Sequence, residues 1–166
     1  MEFKRSFIVD KPIDQVWNVL GNQFGQVCNW ASGVHHSEGR GATNMTTLTG
    51  GTRECRTDFG QLKERVEIFD PQNYRLRYVA YQGFPFFVDN GRNTWSLTAN
   101  GDRTQVDMAL VMTMKGLMGK LMSPVMRGQM GKAADQIVVD FKTYVETGQA
   151  SPHKQRELVK QAKKAA

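Results

Sequence analysis

Residues 123–148 read SPVMRGQMGKAADQIVVDFKTYVETG, and the spacing within this stretch decides the fold. Met126, Met130, Ala133, Ala134, Ile137, Phe141, Tyr144 and Val145 recur at three- and four-residue intervals, so they share one face of a helix. Arg127, Lys132, Asp135, Lys142 and Glu146 fall on the opposite face. Ser123 suits a cap, Pro124 the first helical position and Gly148 the residue just past the end. A helix over residues 124–147 is about 36 Å long at roughly 1.5 Å per residue. Nearly everything before it reads as strand. The economical architecture is a curved antiparallel sheet gripping one long helix, with Ile137 and Phe141 buried.

Outward from that helix, residues 2–10 make a first strand through Phe3, Phe7 and Val9. Ile13, Val16, Trp17 and Leu20 follow at helical spacing behind Pro12, and residues 23–30 form a second short helix. Residues 33–39 are a weak strand, and residues 40–51, rich in Gly and Thr, read as a loop or bulged hairpin. Residues 52–57, 62–69, 74–82, 92–98 and 104–114 are stronger strands, parted by Asp-Phe-Gly, Asp-Pro-Gln-Asn and Asn-Gly-Asp turns. Residues 116–122 are a short apolar segment leading into the long helix. Strands at about ten-residue spacing, with no helix between them, imply an antiparallel meander.

The 166 residues, 40% hydrophobic and 23% charged, describe one globular domain, residues 1–148, with a basic tail over 149–166. Of the net charge of +6, the tail supplies +4 through Lys154, Arg156, Lys160, Lys163 and Lys164 against Glu157. The body is nearly neutral, so no nucleic-acid partner is expected, and an electrostatic partner would engage the tail. The N-terminus lacks the apolar core of a signal peptide and no run is long enough to span a membrane, which implies a soluble, cytoplasmic protein, monomer or homodimer. Cys28 and Cys55 are expected as free thiols. No cysteine pair at metal-ligand spacing, His-x-x-x-His or phosphate-cradling glycine loop is present, so neither a metal nor a cofactor is expected.

Three further stretches carry a family likeness. They are Gly51-Thr52-Arg53-Glu54-Cys55, Leu62-Lys63-Glu64-Arg65-Val66-Glu67-Ile68-Phe69-Asp70 and Leu76-Arg77-Tyr78, with Phe84-Pro85 ahead of the sixth strand. With the order of elements, Trp17, Trp30 and the long C-terminal helix, the chain resembles the START / Bet v 1-like (SRPBCC) superfamily, and within it the bacterial polyketide cyclase/dehydrase branch. The resemblance covers about residues 3–148. It implies an α+β helix-grip fold, a seven-stranded curved antiparallel sheet wrapped round a long C-terminal helix with two short helices after the first strand. It also implies a ligand cavity between sheet and helix, opening near residues 58–61 and 84–90.

Alternation assigns the walls of such a cavity. Glu64 shares parity with the apolar Leu62, Val66 and Ile68, whereas Lys63, Arg65 and Glu67 share the other side. Tyr78 shares parity with Leu76 and Ala80, Asn93 with Trp95, and Met108 with Leu110, Met112 and Met114; Cys55 also points inward, and Met126 and Met130 add from the helix. The same pattern describes either a solid core or a Met-lined pocket that adapts to apolar ligands. A carboxylate on an apolar face must be paired or protonated, so Glu64 is either a salt bridge, with Arg53 the natural partner, or an acid/base group. Glu64, Tyr78 and His35 are the candidate catalytic groups if the protein is an enzyme, which the resemblance would make a cofactor-independent cyclase or dehydratase. The leading expectation is binding of a small hydrophobic or amphipathic molecule, a lipid or polyketide. The alternative is an interaction or membrane-surface module acting through the basic tail, where Leu158 and Val159 lie among lysines.

Overall fold

The computed structural model describes residues 1–40 and 49–165. Residues 41–48, inside the stretch read as a loop or bulged hairpin, lie outside the described residues. The strands are β1 (Glu2–Val9), β2 (Val34–Arg40), β3 (Thr52–Thr57), β4 (Gly60–Asp70), β5 (Arg75–Gln82), β6 (Val88–Asn100) and β7 (Arg103–Met114). They form one antiparallel sheet in the order β1-β7-β6-β5-β4-β3-β2, so β2 to β7 meander and β1 lies alongside β7. Between β1 and β2, α1 (Ile13–Trp17) passes into a π turn over Asn18–Asn22 and a 3₁₀ segment over Phe24–Asn29. Two helices close the chain, α2 (Gly116–Thr147) and α3 (Pro152–Ala165). This is the helix-grip architecture that the strand spacing and the long helix imply.

The concave face of the sheet and the inner face of α2 share one apolar core. Val66, Leu76, Trp95, Val106 and Met108 are buried on the strands, and Ala134 and Phe141 on the helix. Phe141 has no exposed surface: Phe7, Trp30 and Trp95 converge on it with ring centroids 6.5, 5.2 and 5.2 Å away. Polar side chains fix the helix along its length. Arg5 Nε donates to Asp135 Oδ1 at 2.6 Å, Lys142 Nζ to the Ile8 carbonyl at 2.5 Å, and the Asp10 amide to Glu146 Oε1 at 2.7 Å.

Two local readings need correction. The long helix begins at Gly116, eight residues before Pro124, which sits inside it. The missing Pro124 amide removes a helical hydrogen bond. Ser123 does not cap; its Oγ donates back to the Gly119 carbonyl at 2.7 Å. Entry is fixed by Lys115, whose amide bonds the Phe87 carbonyl at 2.9 Å. The other end follows expectation: Gly148 takes φ 73° and its amide bonds the Tyr144 carbonyl at 2.8 Å. In β4, strict alternation fails between Val66 and Ile68, where the register with β5 shifts. Phe69 opposite Leu76 is therefore buried, and Ile68 is displaced from the inner face.

The segment after Gly148 turns back as α3 and is held to the body. Lys154 is fully buried and donates to the Val34 carbonyl at 2.5 Å, and the Gly33 amide donates to both carboxylate oxygens of Glu157 at 3.1 and 2.9 Å. Ser151 Oγ donates to buried Asp140, which also accepts from the Ser32 amide and the Gln136 side chain, both at 2.8 Å. Asp140 is buried on the core side of α2, outside the apolar repeat that marks that face. Removing residues 149–166 strips Asp140 of one partner and uncovers the β2 end. A loss of roughly 2–4 kcal/mol in urea denaturation is expected, from hydrogen bonds that involve charged groups. A truncated chain as stable as the full one would mean that these bonds contribute nothing in solution.

Candidate functional site

A polar centre sits on the concave face where β3, β4, β5 and β6 run side by side. Strand pairing sets Arg53 opposite Glu64 and Tyr78 opposite Asn93. Arg53 Nε donates to Glu64 Oε2 at 2.6 Å, its Nη1 donates to the Phe24 carbonyl at 2.6 Å, and both side chains are buried. The guanidinium carbon lies 3.8 Å from the Phe24 ring centroid and 5.0 Å from that of Tyr78. The cation thus rests against a pair of aromatic rings that meet edge-to-face, their centroids 5.3 Å apart. Cys55 Sγ contacts Glu64 Oε2 at 3.4 Å, and Asn93 Nδ2 donates to the Tyr78 hydroxyl at 3.1 Å.

The electrostatics follow from this packing. Burial acts to lower the Arg53 pKa, but Glu64, with Cys55 and Tyr78, outweighs it and holds the guanidinium charged. Burial pushes the Cys55 thiol up to about 12, against the pull of Arg53, so it is a neutral thiol and a poor nucleophile. Burial likewise raises the Tyr78 phenol, which stays protonated and can donate. Among the described residues, three buried side-chain polar atoms lack a hydrogen-bond partner: Trp17 Nε1, Asn93 Oδ1 and Trp95 Nε1. Asn93 Oδ1 and Trp95 Nε1 stand two residues apart on the inner face of β6, and the indole N–H is directed at the Tyr78 hydroxyl, whose pKa it lowers.

The expected continuous cavity between α2 and the sheet is filled. Trp30, Trp95 and Phe7 meet Phe141 where that space would lie. A space of about 10 Å³ lies between the α1–β2 connection and the sheet, lined by Leu20, Phe24, Val27, Arg53, Tyr78 and Trp95 among others. It holds roughly one water molecule. In this conformation the solid-core alternative describes the centre of the molecule.

The inward set is brought together in two groups. Cys55, Val66, Trp95 and Met108 belong to the main core, with Leu62, Tyr78, Leu110 and Met130 packed against it. Met112 and Met126 form a second cluster with Val88, bordered by Met1, Met114, Met122 and Phe87, while Leu110 and Met130 touch both. Glu64, Ala80 and Asn93 are buried on the same concave side. His35 is set apart. It lies at the β2 end, where Nε2 meets Asp58 Oδ1 at 2.7 Å and Nδ1 meets the Gln161 amide of α3 at 2.5 Å. The bulge between Val34 and His36 turns it out of the core. Phe24, which holds the cation from above and accepts from it, was missed because its role is played by a ring and a carbonyl, neither of which stands out in sequence.

A family model described as polyketide cyclase / dehydrase and lipid transport matches residues 1–146. No curated protein matches the chain by sequence. Among solved structures, the ZhuI aromatase/cyclase from Streptomyces sp. R1128 superposes with a TM-score of 0.66 at 15% identity, over 91% of this chain and 99% of that one. Ara h 8.0201 gives 0.63 at 12%, over 87% and 97%, and norcoclaurine synthase from Thalictrum flavum gives 0.63 at 16%, over 82% and 91%. At these identities the likeness is one of fold.

Proposed function

The chain belongs to the polyketide cyclase/dehydrase and lipid transport family, and from that premise we propose that it binds a small hydrophobic or amphipathic molecule on the concave face of the sheet. The observation that carries the reading is Asn93 Oδ1, a buried acceptor without a partner beside the Tyr78 hydroxyl. Buried polar groups left unsatisfied are costly, and a site keeps them where a ligand supplies the missing bonds. A buried acceptor calls for a donor, so the matching ligand is an apolar body carrying an alcohol or phenol. Its body enters through the methionine cluster of Met112, Met126 and Met130, whose unbranched side chains repack most readily.

Binding or transport comes ahead of catalysis. Glu64 is committed to Arg53, which removes it as a free base, and Cys55 is held as a thiol. Of the candidate catalytic residues, Tyr78 alone combines the right location with a free role, as a hydrogen-bond donor that keeps its proton. If turnover occurs, it is cofactor-free rearrangement of the bound molecule, with the Tyr78 hydroxyl donating a hydrogen bond to the reacting oxygen. The tail reading loses support because Lys154 is spent on the Val34 carbonyl.

Native mass spectrometry of the purified protein names the class of any retained molecule. The sharper test compares 2-naphthol with naphthalene. Asn93→Leu should weaken 2-naphthol binding by about tenfold, the loss of one hydrogen bond, and leave naphthalene unchanged. Equal effects on both, or none, would remove Asn93 from the site.

A further inference from the structure

The N-terminal half of α2 is apolar on two faces, and the core uses only one of them. Met126, Met130 and Ala134 turn toward the sheet. Leu117, Leu121 and Val125 follow one another at four-residue steps and turn away from it, 82, 68 and 52% exposed. Met118 lies beside them, and Phe86, 71% exposed, stands on the β5–β6 loop next to the helix start, which the Lys115–Phe87 backbone bond ties together. Isolated surface leucines mean little, but a stripe of them continued by a phenylalanine on a neighbouring loop is an interaction surface.

Charge identifies what covers it. Residues 115–134 carry Lys115, Lys120, Arg127 and Lys132 and not one acid; Asp135, which follows, is paired with Arg5, and Asp89 in β6 lies three residues beyond Phe86. We propose that this face docks on an anionic lipid surface, the leucines and Phe86 entering the acyl boundary and the four cations meeting the headgroups. A second copy of the chain fits less well. A twofold contact through this stripe sets the same four cations against one another, whereas an anionic bilayer neutralises them. The geometry suits shallow insertion, because the stripe is exposed along two helical turns and no helix among the described residues is long and apolar enough to cross a membrane. This is a different surface from α3, and its test needs no small ligand.

The test is sedimentation of the full chain with vesicles of phosphatidylcholine alone and of phosphatidylcholine mixed with phosphatidylglycerol. Binding is expected to the mixed vesicles only, and to fall with added salt. Lys120→Gln should weaken it about fivefold, the contribution of one basic side chain near an anionic surface. Leu117→Ser combined with Leu121→Ser should weaken it by about tenfold or more. All three positions are exposed, so these variants should melt as the parent does. Lys160→Gln on α3 should bind like the parent. The proposal is overturned by equal binding to both vesicles or to neither, by loss of binding in the α3 variant instead, or by a dimer in solution that Leu121→Ser dissociates.

Discussion

Glu64→Gln should lower the stability of the protein by roughly 3–5 kcal/mol, the cost of breaking a buried ion pair on one side. The argument starts from the strand register, which places Arg53 and Glu64 opposite each other on the inner face with 5 and 10% of their side chains exposed. The amide keeps the shape of the carboxylate but leaves the guanidinium unbalanced among Phe24, Tyr78 and Cys55. Arg53 cannot shed its proton to escape, since arginine stays charged in proteins. Urea denaturation of wild type and variant, with the slopes compared, gives the loss directly. Replacing both partners, Arg53→Met with Glu64→Leu, should restore most of the stability, because the penalty belongs to the unpaired charge and not to the missing attraction. If Glu64→Gln melts like the parent, water reaches the pair and the centre is not closed.

A second large effect is expected at the grip itself. Phe141→Ala should cost about 3–5 kcal/mol, the range for removing a buried aromatic side chain from a core that cannot collapse around the void. Three rings, Phe7, Trp30 and Trp95, rest on Phe141, and they come from β1, from the loop before β2 and from β6. Elements so far apart in sequence cannot all shift to fill one gap. The void should then bind a small apolar molecule such as benzene, which stabilises the variant and leaves the parent unaffected. A loss below about 1 kcal/mol would mean that the rings repack freely and that α2 is held mainly by its polar contacts, because well-packed cores feel volume changes of this size.

The residues that could be read in advance are those governed by a repeating pattern. Period two placed Glu64 inside and its Lys63 and Arg65 neighbours outside, and cost then demanded a partner, which Arg53 supplies. Period 3.6 found Met126, Ala134 and Phe141. The misreadings fall where a local event interrupts the pattern. The β4 bulge exchanged Ile68 for Phe69, and the bulge in β2 sent His35 toward Asp58 and α3. Pro124 looked like a helix start because proline favours the first turn, yet tertiary contacts of Met122, Met126 and the Phe87 carbonyl carry the helix through it. The size of the cavity was not legible, because alternation says which side chains turn inward and nothing of whether their volumes fill the space. Four aromatic rings do so here.

The pairing of β1 with β7 bears on how the protein is made. Glu2 meets Val111 and Val9 meets Thr104, so every bond of the first strand joins residues about a hundred positions apart. During synthesis β1 leaves the ribosome ahead of the other strands and waits, as an unpaired strand with Phe3, Phe7 and Val9 on one side, until nearly all of the sheet has followed. Closing such a long loop before any contact rewards it is slow, in the millisecond-to-second range typical of non-local β topologies. The β2–β7 meander can zip from its hairpins in the meantime. Arg5 reaches Asp135 and Lys142 reaches the Ile8 carbonyl, so the strand that completes the sheet also carries contacts that hold α2, and docking β1 along β7 is expected to complete the sheet and the grip together.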